Sequence, residues 1–239
     1  MKAHERIFVA LDTPEIDSAR ALVRKLEGAV GGFKIGLQLF TTAGPSIVEE
    51  VRRSGAAVFL DLKLHDIPNT VAGAAAACAR LGVSFFTVHA SGGARMIARG
   101  AEAAAEAATA EGLPRPTALA VTILTSHDDG DLEEIGFAGP CGAAVRRLAA
   151  LARDSGAGGL VCSALEVEAA RSIFPGGTLV VPGIRPSRGA PANDDQARVA
   201  TPADAVAHGA DHLVIGRPIT GASDPLAAAE AIAMEIDGG

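Results

Sequence analysis

The sequence predicts an α/β protein, a single (β/α)8 TIM barrel that spans residues 1–239. Short apolar runs alternate along the chain with amphipathic stretches, and eight such runs match the number of strands in this barrel. With 239 residues, of which 49% are hydrophobic, the chain suits one such barrel, and no linker favours two domains. The runs lie near residues 6–12, 32–37, 56–62, 83–89, 117–124, 157–162, 178–181 and 211–215.

Helices are predicted between these runs. An amphipathic stripe in the first intervening stretch is typical of a helix that packs on a sheet; it consists of Ile16, Ala19, Leu22, Val23 and Leu26. The alanine-rich stretch 101–110 also predicts a helix, since alanine is the best helix former. Start signals precede three of the helices: Thr13-Pro14-Glu15, Ser163 with Glu166, and Thr201-Pro202 with Asp204.

The alternation within the first three strands predicts which side chains look into the barrel. Apolar residues on one face should meet the helices, and they are Ile7, Val9, Leu11, Phe33, Ile35, Leu37, Leu60 and Leu62. Charged residues then gather on the inner face, towards the C-terminal ends of the strands, where barrel active sites lie. An open doubly wound sheet is the alternative fold, but no G-x-G-x-x-G follows the first strand.

Composition narrows the class of function. A net charge of −7 disfavours a nucleic-acid surface, which needs a clustered basic excess. The three cysteines are widely spaced and indicate neither a disulfide framework nor a zinc site. No apolar stretch reaches the roughly 18 residues of a membrane span, so we expect a soluble cytoplasmic protein.

The run D-L-K-L-H-D-I-P-N-T at 61–70 places Lys63 between two carboxylates where a strand meets a turn. Asp61 and Lys63 share one face of an extended strand, and Asp66 follows three residues later. Neighbouring carboxylates favour the ammonium form, so we expect Lys63 to act as a proton donor. A lysine that forms Schiff bases needs the opposite environment. The alternative is a weak surface ion pair at a strand end.

Two further charges are expected at the same end of the barrel. Asp12 closes the first strand and Lys34 lies in the second, both on the predicted inner face. Taken singly, Asp12 could cap a turn and Lys34 could extend its amine to solvent. Together with Asp61 and Lys63 they predict a charged site inside the barrel.

The last two strands predict a phosphate site. The seventh is followed by V-P-G-I-R-P at 181–186, which includes Pro182, Gly183 and Arg185, and the eighth ends in I-G-R-P, which includes Gly216 and Arg217. Glycines let backbone N–H groups approach an oxyanion, and arginine forks match phosphate oxygens. The polar stretch 186–198 is expected to be a loop that closes over the phosphate and brings Gln196 inward. Loop arginines with surface contacts are the alternative.

Other polar residues carry weaker signals. Thr125 and Ser126 offer hydroxyls after the fifth strand, although such hydroxyls usually cap helices. His89 ends the fourth strand, and a satisfied interior histidine is at least as good a description of it as a catalytic one. A metal held by Asp61, His65 and Asp66 is disfavoured because Lys63 would repel the cation.

These motifs resemble the orotidine 5′-phosphate decarboxylase family, and the resemblance runs nearly end to end. Besides the 61–70 run, it rests on A-L-D in the first strand, K-I-G in the second, V-H-A-S-G-G at 88–93, V-T-I-L-T-S at 121–126, V-P-G-I-R-P at 181–186, D-D-Q-A-R-V-A-T-P at 194–202 and I-G-R-P-I at 215–219. The segment 186–193 fits the family's variable loop without a strict pattern. The resemblance implies decarboxylation of orotidine 5′-monophosphate to UMP without a cofactor or metal.

The resemblance also implies a role for each site residue. Lys63 would be the catalytic proton donor, and Asp61 would lie beside the substrate carboxylate. Asp66 would belong to the charged network and, with Thr70, reach into the partner's site, which implies an obligate homodimer. The remaining matches are Lys34 and Asp12 at the ribose hydroxyls, Thr125 and Ser126 near the pyrimidine, and Pro182, Arg185, Gln196, Gly216 and Arg217 at the phosphate.

Two other functions stay open at this point. A magnesium-dependent sugar-phosphate lyase, such as a hexulose-phosphate synthase, also uses a D-x-K-x-x-D pattern, although the I-P-N-T extension speaks against it. A non-catalytic nucleotide-binding protein on the same scaffold is the second, since a fold does not dictate an activity.

Overall fold

The computed structural model describes residues 1–187 and 200–238, and within them eight parallel strands close into a barrel. Each strand pairs with the next in the chain, and the first pairs with the last. The predicted TIM-barrel fold is therefore confirmed. The strands are β1 (Ile7–Ala10), β2 (Gly32–Gly36), β3 (Ala57–Leu64), β4 (Phe85–His89), β5 (Thr117–Val121), β6 (Gly159–Val161), β7 (Thr178–Val181) and β8 (His212–Ile215).

Helices follow the strands and cover the outside of the barrel. Short 3₁₀ segments lie at His4–Arg6, Ala90–Gly92 and Ala164–Glu166. In the described part of the chain the α-helices are α1 (Ile16–Leu26), α2 (Leu37–Ala43), α3 (Ser46–Arg53), α4 (Pro68–Arg80), α5 (Ala94–Ala110), α6 (Asp129–Glu134), α7 (Cys141–Asp154), α8 (Val167–Ile173), α9 (Pro202–Ala207), α10 (Arg217–Thr220) and α11 (Pro225–Asp237). None of these helices is long and apolar enough to cross a membrane.

Two of the three predicted helix starts are confirmed by capping bonds. The Thr201 side chain accepts a hydrogen bond from the backbone N–H of Asp204, and Ser163 and Glu166 form a capping box. The first helix starts later than predicted, at Ile16, because the Thr13 hydroxyl instead forms a turn with Glu15.

Two apolar layers form the core, as the strand alternation predicts. The outer layer joins the strands to the helices and includes Ile7, Val9 and Leu11. The inner layer fills the barrel and consists of Phe8, Ala10, Phe59, Leu119, Val180 and Val214. The prediction was wrong for Leu37, which is 57% exposed: β2 ends at Gly36, so Leu37 begins α2 and no longer follows the strand alternation.

Aromatic rings close the N-terminal half of the barrel. Phe8 packs edge-on against Phe59 and Phe85, with ring centroids 6.3 and 5.4 Å apart. The His212 ring lies 5.1 Å from the Phe8 ring and 5.2 Å from that of Phe85. These rings occupy the space below the charged residues, so the open part of the barrel lies at the C-terminal ends of the strands.

The pairing of β3 with β4 is irregular beside these charges. Leu60 pairs with Phe86 and Leu64 pairs with Val88, so three residues of β3 face a single residue of β4. Within this bulge Lys63 has a φ of 52°, the only positive φ of a non-glycine residue in the described ranges. A left-handed backbone costs a side-chain-bearing residue about 1–2 kcal/mol, and such strain persists only where the surroundings hold it.

Candidate active site

A cavity of about 490 Å³ opens at the C-terminal ends of the strands. This is the end at which the charges of β1, β2 and β3 were predicted to meet, and active sites of such barrels are built there. Nine of the predicted site residues line it: Asp12, Lys34, Asp61, Lys63, Thr125, Pro182, Arg185, Gly216 and Arg217.

Asp12 and Lys34 form an ion pair on one wall of the cavity. The Nζ of Lys34 donates a hydrogen bond of 2.7 Å to Oδ1 of Asp12. Adjacent strands fix the pair, because Ala10 of β1 is in register with Lys34 of β2. The Lys34 side chain is only 12% exposed whereas that of Asp12 is 58% exposed. The carboxylate therefore stays accessible to a bound molecule.

Asp61 and Lys63 form a second pair, deeper in the cavity. The Nζ of Lys63 donates a hydrogen bond of 2.8 Å to Oδ2 of Asp61, and the side chains are 29% and 12% exposed respectively. The predicted common face is confirmed, although the bulge rather than a regular strand produces it. An ammonium held against a carboxylate in a partly desolvated site can stabilise developing negative charge and deliver a proton to it.

The ends of β7 and β8 carry the residues predicted for phosphate. Gly183 has a φ of 76°, in the left-handed region that glycine adopts without strain, and this turns the chain after β7. The backbone N–H of Arg185 then bonds to the carbonyl of Ala200 over 2.9 Å. Arg217 begins α10 directly after Gly216. Arg185 and Arg217 therefore line the same cavity as the two ion pairs, and Arg217 follows β8, the strand that pairs with β1.

His89 lies next to the charged cluster, with its ring centroid 5.4 Å from that of His65. Burial lowers the pKa of His89, and the nearby His65 and Lys63 lower it further, against an opposing effect of Asp61. The His89 imidazole is therefore neutral at physiological pH. It does not line the cavity, which agrees with the description of an interior histidine.

Three predicted residues in the described part of the chain are not part of the cavity wall. Ser126, Asp66 and Thr70 are exposed and lie outside the lining. Gln196 lies outside the described residues, so its prediction is untested. The backbone N–H of Ile67 donates to Oδ1 of Asp66 over 2.6 Å, which fixes this carboxylate at the turn before α4.

Sequence reasoning missed two residues at the site. Cys162 follows β6, lines the cavity and is 1% exposed, and burial raises the pKa of its thiol to about 12, so it is neutral. Thr87 of β4 is fully buried and its hydroxyl donates a hydrogen bond of 3.0 Å to Oδ1 of Asp61. Its inward position between Phe86 and Val88 is readable from the strand alternation, whereas its partners are not.

The arrangement suits an anionic ligand that spans the cavity. The two arginines can hold a phosphate, while the two ion pairs offer two ammonium groups and two carboxylates to the rest of the molecule. Within residues 1–187 and 200–238, no group of three or more His, Cys, Asp or Glu side chains could hold a metal ion. The site therefore combines anion binding with an acid–base group.

Known proteins are similar to this chain in sequence and fold over nearly their whole length. The chain is 52% identical over 231 residues to orotidine 5′-phosphate decarboxylase of Paramagnetospirillum magneticum, covering 96% of this chain and 97% of the relative. It is 56% identical over 233 residues to that of Halorhodospira halophila, covering 97% and 95%. The crystal structure of orotidine 5′-phosphate decarboxylase from Lactobacillus acidophilus superposes with a TM-score of 0.85 at 40% identity, covering 97% of this chain and 98% of that one. Residues 5–232 match the family described as orotidine 5′-phosphate decarboxylase / HUMPS, and the chain belongs to this family.

Proposed function

We propose that this protein is a carboxy-lyase that converts orotidine 5′-monophosphate to UMP, the last step of de novo pyrimidine nucleotide synthesis, without a cofactor. The observation that carries the proposal is the Asp61–Lys63 pair in a cavity that Arg185 and Arg217 also line. A nucleotide with a carboxylate on its base presents an anion at each end. The names of the relatives support the same reaction.

Lys63 protonates the carbon that loses CO₂. Breaking the bond between C6 of the pyrimidine and its carboxylate leaves an electron pair on C6, and the Lys63 ammonium stabilises this charge and transfers a proton to it. Asp61 lies beside the substrate carboxylate. The repulsion between the two negative charges destabilises the bound substrate before the carbon–carbon bond breaks. The 2.8 Å contact supports a shared position for both groups.

The remaining residues bind the substrate. Asp12 and Lys34 hold the ribose hydroxyls, since their ion pair offers both an acceptor and a donor. Thr125 and Ser126 lie near the pyrimidine, and Pro182, Arg185, Gly216 and Arg217 surround the phosphate, with Gln196 from the closing loop. Phosphate binding far from C6 contributes to the rate by holding the reacting groups in place.

Asp66 and Thr70 act in the site of a second copy, so the active form is a homodimer. Both are exposed, Asp66 at the turn that follows β3 and Thr70 in the first turn of α4. Two large apolar side chains are also exposed after neighbouring strands, Leu37 at 57% and Ile67 at 67%. Apolar surface of this kind is typical of protein–protein contacts.

Mixed dimers test this contribution. Lys63→Ala and Asp66→Ala subunits should each be inactive alone, and refolding them together should restore turnover, because one site of each hybrid then contains both intact residues. If Asp66 acts in its own subunit, the mixture stays inactive.

The rival function is a magnesium-dependent sugar-phosphate lyase, since the family description includes HUMPS. An absorbance assay distinguishes the two: orotidine 5′-monophosphate is mixed with the purified protein, with and without EDTA. Rapid conversion to UMP that EDTA does not affect supports the decarboxylase. No conversion contradicts it and directs the search to hexulose phosphates with Mg²⁺, and then to non-catalytic nucleotide binding.

A further inference from the structure

Thr87 makes two hydrogen bonds from a fully buried position on the inner face of β4. Its Oγ1 accepts a bond of 2.8 Å from the backbone N–H of Lys63. The same hydroxyl donates a bond of 3.0 Å to Oδ1 of Asp61. One side chain on a neighbouring strand thus contacts both members of the proposed catalytic pair.

Thr87 is also the residue that faces the bulge in β3. Between the Leu60–Phe86 and Leu64–Val88 pairs, β3 contains residues 61–63 and β4 contains Thr87 alone. A regular ladder would bond the Lys63 N–H to a carbonyl of the next strand. Here the Thr87 hydroxyl takes the place of that carbonyl.

The bulge matters because it sets the direction of two charges. Lys63 keeps its φ of 52°, which an unsupported chain would relax. Both oxygens of Asp61 are engaged, Oδ1 by Thr87 and Oδ2 by the Nζ of Lys63. The rotation of the carboxylate and the path of the Lys63 backbone are therefore coupled through one hydroxyl.

We propose that Thr87 is a positioning residue for decarboxylation: its hydroxyl holds the Lys63 backbone in the bulge and the Asp61 carboxylate against the Lys63 ammonium. This inference rests on the proposed function. The two hydrogen bonds of the Thr87 hydroxyl are to Lys63 and Asp61, and not to the residues proposed to bind phosphate and ribose. Loss of this hydroxyl therefore acts on the chemical step and leaves nucleotide binding intact.

Two matched pairs of side chains isolate the hydroxyl. Thr87→Val keeps the shape of threonine without its oxygen, and Thr87→Ala differs from Thr87→Ser by the oxygen alone. We expect Thr87→Val and Thr87→Ala to lower kcat for orotidine 5′-monophosphate at least tenfold, with KM and the Kd for UMP within about threefold of wild type, as for a group that acts only in the transition state. Thr87→Ser should keep kcat within a few-fold of wild type.

A second buried threonine provides the control. Thr122 is 3% exposed and donates to the carbonyl of Val161 over 3.2 Å, away from the catalytic pair. Thr122→Val should alter the melting temperature as Thr87→Val does while leaving kcat unchanged.

Three results would overturn the inference. One is a wild-type kcat in both variants that lack the hydroxyl. Another is a parallel loss of kcat and UMP affinity, which Thr87→Ser shares, since this would indicate general damage. Failure of the wild-type protein to convert the substrate would refute the proposed function itself, and with it the assignment of Thr87 to catalysis. If Thr87→Val does not fold, the comparison of Ala with Ser decides alone.

Discussion

Gly36 lies so close to the amine of Lys34 that a Cβ at this glycine would be 3.2 Å from Nζ. The same Cβ would be 3.3 Å from Oδ1 of Asp12. Both distances are tighter than ordinary van der Waals contact, so the ion pair occupies space that only a glycine leaves free. The end of β2 is thus shaped by the pair as much as by the turn into α2.

Gly36→Ala should therefore move the Asp12–Lys34 pair without unfolding the barrel. Alanine adopts the observed φ of −91° and ψ of −179° without strain. We expect this displacement to lower kcat/KM for orotidine 5′-monophosphate, by less than the roughly 100-fold loss that a misplacement of about 1 Å causes. Gly142→Ala, where a Cβ meets nothing within 4 Å, is the control and should retain full activity. Wild-type kinetics for Gly36→Ala would show that the pair shifts without cost.

We expect Lys63→Ala to abolish turnover and leave a folded dimer, because the substitution removes the proposed proton donor. Lys63→Gly should be equally inactive but more stable than Lys63→Ala by about 0.5–1 kcal/mol, since glycine accepts a positive φ. Urea unfolding of the two variants measures the difference. Ala227 lies on the exposed face of α11, and there a glycine should be less stable than alanine, because glycine lowers the free energy of unfolding in a helix. Substantial residual decarboxylation by either Lys63 variant would contradict the assigned role.

Arg217→Ala should weaken the binding of phosphorylated ligands specifically. Loss of charge-assisted hydrogen bonds to a phosphate raises the Kd for UMP by about 10- to 100-fold. The Kd for uridine, which lacks the phosphate, should not change. Calorimetric titration with both ligands checks this, and Arg53→Ala provides the control because its side chain is 73% exposed in α3. An unaltered affinity for UMP would remove Arg217 from the phosphate site.

His212 should make the protein less stable in mild acid. Burial lowers the pKa of this ring, and Arg6 lowers it further, against an opposing effect of Asp211. The unfolded chain therefore binds a proton that the folded barrel does not, so the stability is fully present above a pH of about 6.5 and falls as the pH drops below it. The slope contributed by one group is at most about 1.4 kcal/mol per pH unit.

Urea unfolding between pH 7 and pH 5 measures this slope. In His212→Phe the contribution of His212 should disappear, while that of His89, whose pKa is also lowered, remains. An unchanged slope in His212→Phe would show that folding does not lower the pKa of His212.

The sequence predicts the barrel because the alternation of side chains along a strand indicates which residues face the helices and which face the interior. Ile7, Val9 and Leu11 alternate with Phe8 and Ala10, and the two sets form the outer and inner layers. The eight apolar runs coincide with the eight strands, with ends that differ by a few residues. Leu37 shows why the ends differ: an apolar residue continues the alternation of β2 although the chain has already turned at Gly36.

The sequence predicts that the charges of β1, β2 and β3 meet at one end of the barrel, but it does not predict the bulge or the contacts of Thr87. The Asp61–Lys63 contact follows from two positions on β3. The role of Thr87 depends on a bulge, and a bulge is a difference in length between two paired strands that neither sequence shows by itself. The homodimer contacts of Asp66 and Thr70 stay predictions because they depend on a second chain.

The aromatic rings of Phe8, Phe59 and Phe85 fill the N-terminal end of the barrel, so the cavity opens at the C-terminal ends of the strands. Whatever enters between the C-terminal ends of the strands must leave by the same way, since the opposite end is filled. For the proposed reaction, carbon dioxide and UMP leave through this same opening, and UMP bound by its phosphate lies across it. Product inhibition by UMP should then be competitive with the substrate, because both nucleotides would occupy the same site behind this opening.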